Sequence, residues 1–126
     1  MVAYQWLKDE PNYRATRAKT LTLLEAYALV NPQEAAVKSS LSTFYAEDKL
    51  REKAVAHAES ALAISPKDPS VLADIAETYE DLGDRKRAIQ YAQQSLQNGF
   101  TMDDLRRRLA LQAILADPSF RPGGKQ

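Results

Sequence analysis

Cysteine is absent from this chain, histidine occurs once, and neither sign of charge is in excess. Each lack excludes something. Without Cys there is no disulfide framework, no thiolate zinc site and no thiol nucleophile. The balance of 17 Lys+Arg against 17 Asp+Glu, with a sequence pI near 6.6, lacks the cationic surplus that neutralising phosphates requires, so nucleic acid is not an expected partner. No apolar run approaches the roughly 20 residues that cross a bilayer, and the N-terminus carries no signal-peptide h-region. The expectation is a cytoplasmic chain with no membrane insertion. What is present is 126 residues, enough for one domain or a short repeat array, with 44% hydrophobic and 27% charged residues, the balance of a folded chain.

The sequence repeats itself. A shift of 34 residues superimposes Val37 on Val71, Leu41 on Ile75, Tyr45 on Tyr79, Arg51 on Arg85, Ala54 on Ala88, Ala58 on Ala92 and Leu62 on Leu96. Shifting the other way brings Leu7 onto Leu41, Leu21 onto Val55 and Pro32 onto Pro66. One period later, Leu105 meets Val71, Leu109 meets Ile75 and Ala113 meets Tyr79. Only six of the 34 positions are identical between 35–68 and 69–102, but the agreement falls on apolar and small residues at helical spacing.

Each period reads as two helices. Asn31 as cap, Pro32 at the first helical position and Glu34 completing a capping box predict one start. Val37, Leu41, Phe44 and Tyr45 then follow at 3–4 spacing, and Glu47-Asp48-Lys49 makes a turn. Leu50–Ile64 is the return helix. Asp68 and Pro69 start the next one, Gly83 suits a left-handed turn after it, and Asp84 caps a helix reaching Asn98. Thr101 with Asp104 caps a last helix running to about Ala116, followed by a tail over 117–126. Ala54, Ala58, Ala88 and Ala92 allow close approach within a hairpin, while Tyr45 and Tyr79 fill the space between hairpins. A hairpin cannot bury both its faces alone, so neighbours must stack and a terminal helix must cap the end.

On these residues the chain resembles the tetratricopeptide repeat (TPR) family. The pattern is carried best by Pro66, Leu72, Ile75-Ala76, Tyr79, Gly83-Asp84, Ala88, Ala92 and Leu96. The repeat at 35–68 departs at Lys38, at Ser42 (where Gly or Ala is usual) and at Lys49 (in place of the turn Gly). In repeat 1–34, Pro11-Asn12 falls where the family has a helical Tyr, which places the end of its first helix near Glu10. The resemblance implies an all-α fold, a right-handed α-α superhelix of about three hairpins plus a C-terminal capping helix over 102–116, forming a single domain over 1–120. It also implies a concave groove that binds a peptide or partner domain. Ala3-Tyr4-Gln5-Trp6 and the close from Asn98-Gly99-Phe100 to Asp117-Pro118-Ser119-Phe120 are further similar to the C-terminal repeat segment of bacterial multidomain signalling proteins, Ser/Thr kinases and winged-helix regulators. That likeness implies a fragment of a larger protein and offers an alternative function, a regulatory or sensor segment. No kinase motif lies in the chain.

In such a stack the first helix of each pair lines the groove. The resemblance therefore makes Gln5, Trp6 and Asp9, then Ser39, Ser40 and Thr43, then Asp74, Glu77, Glu80 and Asp81 the candidate partner-binding residues. The last set is acidic, so the expected partner is a protein or peptide segment carrying Lys or Arg, with Trp6 as an apolar anchor. The same four carboxylates on one helix lack the convergent loop oxygens of a calcium site. The groove lacks the Lys, Arg and Asn set with which chaperone-tail repeats clamp a terminal carboxylate.

His57 has no second His or Cys with which to share a metal, and no nucleophile–base constellation is present. The expectation is a non-enzyme without cofactors. Arg106-Arg107-Arg108 span about 200° of a helix and cannot form one flat patch. With Leu105, Leu109 and Ala113 facing the stack on a continuous helix, Leu111, Ile114 and Leu115 fall on other faces. Either Phe120 folds back over them after the Asp117-Pro118 turn, or they form a second interface, including one for self-association.

Overall fold

The computed structural model describes residues 10–122. It is helical throughout, with no strand among the described residues. The helices are α1 (Glu10–Val30), α2 (Ala35–Glu47), α3 (Arg51–Ile64), α4 (Pro69–Asp81), α5 (Arg85–Gln97), α6 (Met102–Arg106) and α7 (Gln112–Leu115), with a 3₁₀ turn at Leu109–Leu111. The chain divides into two compact units, Met1–Pro32 and Gln33–Gln126.

In the first unit α1 runs for 21 residues. Pro11, which the family pattern reads as a stop near Glu10, sits instead in the first turn of this helix, where its missing N–H costs nothing. Asn31 does not cap the following helix. Its Nδ2 donates to the Tyr27 carbonyl at 3.1 Å and so closes the end of α1. The expected capping box at Asn31-Pro32-Glu34 is therefore absent: α2 begins three residues later than that box requires, with Glu34 at the N-cap and no side-chain cap bond.

The second unit is built from two hairpins, α2–α3 and α4–α5, with α2 packed along α4. Asp68 Oδ1 accepts from the backbone N–H groups of Ser70 (2.9 Å) and Val71 (3.4 Å), and Pro69 follows at the first helical position, so α4 starts where the sequence predicts. Asp84 accepts from the Arg87 N–H at the start of α5. The hairpin turns are made by Lys49 (φ 62°) and Gly83 (φ 84°), 34 positions apart and both left-handed. The backbone hydrogen bonds around them repeat as well: Leu50 N to Tyr45 O at 2.9 Å, and Asp84 N to Tyr79 O at 2.8 Å.

Within the two hairpins the core falls on residues the repeat pattern marks. Leu41, Leu72 and Ile75 are fully buried, as are Ala54, Ala58, Ala88 and Ala92 inside the hairpins. A buried Leu or Ile of this kind stabilises by about 1.5–3 kcal/mol. The aromatic contacts recur with the period: Tyr45 packs on His57 with ring centroids 5.1 Å apart, and Tyr79 stacks on Tyr91 at 5.7 Å. Lys53 lies over the Tyr45 ring and Arg87 over Tyr79. His57 is thus an interhelix packing residue.

The C-terminal segment departs from expectation. Thr101 and Asp104 form the capping box, but the helix they start ends at Arg106. Arg107 and Arg108 leave the helix and the chain continues through the 3₁₀ turn into α7. This break changes the phase of the apolar residues. Leu105 is buried as read, but Leu109 is 81% exposed and Ala113 is also exposed. Leu111 and Ile114, expected on outward faces, are fully buried, and Leu115 is half-buried. Phe120 folds back into the same cluster. Leu111 and Ile114 are therefore core residues and not an exposed second interface.

Candidate functional site

The candidate face consists of side chains from α2 and α4 joined by the segment after α6. Gln5, Trp6 and Asp9 lie outside the described residues. Ser39 is fully buried and donates from Oγ to Asp74 Oδ2 at 2.7 Å. Ser40 and Thr43 are half-buried, and the Thr43 hydroxyl donates to the Ser40 carbonyl at 2.7 Å. Deeper in the α2–α4 seam, the hydroxyls of Ser42 and Thr78 meet at 2.7 Å, and Thr78 donates onward to the Asp74 carbonyl at 3.1 Å. Ser42 thus occupies the small-residue position without leaving a stranded polar atom.

The acidic residues of α4 do not stand together as a bare negative surface. Arg108 reaches back so that a single nitrogen, Nη1, lies 2.8 Å from both Asp74 Oδ1 and Glu77 Oε2. Its guanidinium also lies 5.7 Å from the centre of the Phe100 ring. Glu80 is drawn elsewhere. Arg85 Nε and Nη2 donate to its two oxygens at 2.8 and 2.6 Å, and Arg85 Nη1 donates to Asp117 at 2.7 Å, tying the start of α5 to the C-terminal segment. At Asp81 it is the backbone carbonyl that accepts from Lys49 Nζ.

Electrostatics follow from this pairing. Burial pushes the Glu77 carboxyl above the usual range, opposed by the hydrogen bond and charge of Arg108. Burial, and then the negative charge of Glu47, raise Asp81 in the same way. Among the described residues, no group of three or more His, Asp or Glu side chains is placed to hold a metal ion, and no helix is long and apolar enough to cross a membrane.

Compared with family models, curated proteins and solved structures, the chain has no match. The face must therefore be read from its own chemistry.

Two residues outside the sequence-predicted set matter here: Arg85 and Arg108, the cations that take up Glu80, Asp74 and Glu77. A signal for Arg108 was available, because the 34-residue shift carries Asp74 onto Arg108. An acid and a base at equivalent positions of adjacent layers are placed to meet. The three arginines do not act as a group. Arg106 pairs with Asp103 at 2.6 Å, Arg107 lies 3.8 Å from Asp104, and only Arg108 turns to α4.

Proposed function

We propose that the chain is a TPR-like helical-repeat module that binds a protein or peptide segment, without catalysis, on the face made by α2 and α4. The observation that carries this reading is the recurrence of contacts at a spacing of 34 residues. The left-handed turns at Lys49 and Gly83, the ring pairs Tyr45–His57 and Tyr79–Tyr91, and the cations Lys53 and Arg87 over the tyrosines each occur once per hairpin. Equivalent hairpins laid side by side present equivalent helices on one face, which suits an extended or helical ligand that crosses several layers. On α2 that face offers the half-buried hydroxyls of Ser40 and Thr43, with Ser39 fully buried beneath Asp74. On α4 it is carboxylate-rich, with Asp74, Glu77 and Glu80 already taking up arginines. The ligand that suits it is a polar segment whose cationic side chains compete for those carboxylates.

The test is selection of a random peptide library on the full chain, followed by affinity measurement with two face variants, Thr43→Lys and Asp81→Lys, and one loop variant, Lys67→Glu. Binding is expected to weaken at least about tenfold, equivalent to about 1.4 kcal/mol, in the face variants and to persist in the loop variant. Selected peptides that bind all three variants as well as the parent chain overturn the assignment of the face.

A further inference from the structure

We propose that Asp74 and Glu77 form a receptor for an arginine side chain, that Arg108 is its resident occupant, and that a partner segment with an accessible arginine binds by displacing it. This rests on the reading of the α2–α4 face as a binding surface, and adds to it the chemistry of the ligand and a competitor built into the chain.

The receptor is geometrically complete. The two carboxylates lie one helical turn apart on α4, and both accept from Arg108 Nη1 at 2.8 Å. Asp74 is held in place by its other oxygen, which accepts from the fully buried Ser39 hydroxyl at 2.7 Å. The ring of Phe100 supplies a surface for the guanidinium plane. The guanidinium sets one nitrogen between the two carboxylates while its body lies over the Phe100 ring; a compact, strongly hydrated ammonium brought to the same point leaves that ring uncovered and fits less well.

The occupant is also placed to leave. Arg108 lies outside regular helix, between α6 and the 3₁₀ turn, and its side chain retains 24% of its exposure. The fully buried Leu105 and Leu111 anchor the backbone on either side. Its side chain can therefore rotate into solvent without unpacking the segment that carries it. A partner arginine meets a site that is open only for the fraction of time Arg108 is out, and its apparent affinity falls by that fraction.

The experiment uses the full chain in three forms: the parent, Arg108→Ala, and Arg108→Ala combined with Asp74→Asn and Glu77→Gln. Ethylguanidinium chloride is added at millimolar concentration, with ethylammonium chloride as the ionic-strength control, and thermal unfolding is followed. Ethylguanidinium is expected to raise the melting temperature of Arg108→Ala above the ethylammonium value, and to leave the other two forms unmoved. A labelled alanine pentapeptide with one central arginine is then titrated by fluorescence anisotropy, beside its lysine counterpart. An Arg108 occupancy of about nine-tenths corresponds to binding about tenfold tighter to Arg108→Ala than to the parent, with preference for arginine over lysine. Equal effects of the two small cations on Arg108→Ala overturn the receptor. Refilling by ethylguanidinium with equal peptide affinity for parent and variant overturns displacement. Both failures are distinct from failure of the binding face, which is read from selected peptides and the Thr43 and Asp81 variants. If the alanine variant does not fold, Arg108→Met keeps an apolar stem over Phe100 and takes its place.

Discussion

The two hairpin turns offer a matched pair of substitutions with opposite expected signs. Lys49 and Gly83 occupy equivalent positions, at φ 62° and 84°. A left-handed residue with a Cβ costs about 1–2 kcal/mol relative to glycine, while glycine gives back about 0.4–1 kcal/mol through the greater freedom of its unfolded chain. A Cβ built on Gly83 meets nothing within 4 Å, so Gly83→Ala introduces no clash and its cost is conformational alone. The net is a loss of about 1 kcal/mol, or about 4–8 °C in Tm for a domain of this size. Lys49→Gly relieves the same strain but deletes the Nζ hydrogen bond to the Asp81 carbonyl, an exposed contact contributing about 0.5 kcal/mol. Its net effect is a gain between zero and about 0.5 kcal/mol. Urea unfolding, with the midpoint compared at constant m, reads both values. Gly83→Ala within about 0.3 kcal/mol of the parent, or Lys49→Gly destabilising by more than about 1 kcal/mol, refutes the equivalence of the turns.

The buried hydroxyl chain Ser42–Thr78–Asp74 carbonyl has a direction. Thr78→Val strands the Ser42 hydroxyl and is expected to cost about 1–3 kcal/mol, whereas Ser42→Ala leaves Thr78 its backbone acceptor and costs about 1 kcal/mol; the double variant should cost less than the two added, and strict additivity in urea unfolding counts against the chain. Phe120→Ser removes a ring that is 5% exposed and is expected to lose about 3 kcal/mol, seen as a lower melting temperature; an unchanged transition means the fold-back does not stabilise the unit. Asp117 is held below the usual carboxylate range by the Ser119 N–H and then by Arg85. A depressed carboxyl contributes stability that is complete above the unfolded value of about 3.9 and is lost as pH falls through the folded one. The stability gap between the parent and Asp117→Asn should therefore stay constant from neutral pH to about 5 and narrow progressively as pH falls below the unfolded value of about 3.9; a gap that narrows already above about pH 5, or that widens on acidification, contradicts the assignment.

The elements of the repeat were legible because local signals agreed with one another. Asp68-Pro69 marked the start of α4 through chemistry that acts within three residues, and the alanines of α3 and α5 marked the close faces of the hairpins. Lys49 stands 34 residues before Gly83 and adopts the same left-handed conformation. Reading failed where a local signal had two uses. Pro11 can stop a helix or open one, and here it opens α1. Asn31 can cap a start or close an end, and here its amide returns to Tyr27. Leu105, Leu109 and Ala113 keep the 3–4 spacing of a helix reaching Ala116, but the segment that carries them is not continuously helical. The pull of Arg108 toward Asp74 and Glu77 accompanies that break, and neither carboxylate is near in sequence. The acidity of α4 is visible residue by residue, but the cations that answer it come from another layer and from α5. Side-chain pairing between layers follows the 34-residue shift and not helical spacing, so it is visible only when the two are read together.

The repeat also governs how the chain reaches this structure. Of the side-chain hydrogen bonds described above, none spans more than 36 residues, so each layer is secured by the one beside it. Forming these bonds therefore closes only loops of about one repeat, a smaller entropic cost than longer closures carry. The α4–α5 hairpin carries capped starts on both helices and a glycine turn, and it touches neighbours on either side. It is therefore expected to order first, with φ-values at its buried residues higher than those in α2–α3 and the C-terminal segment.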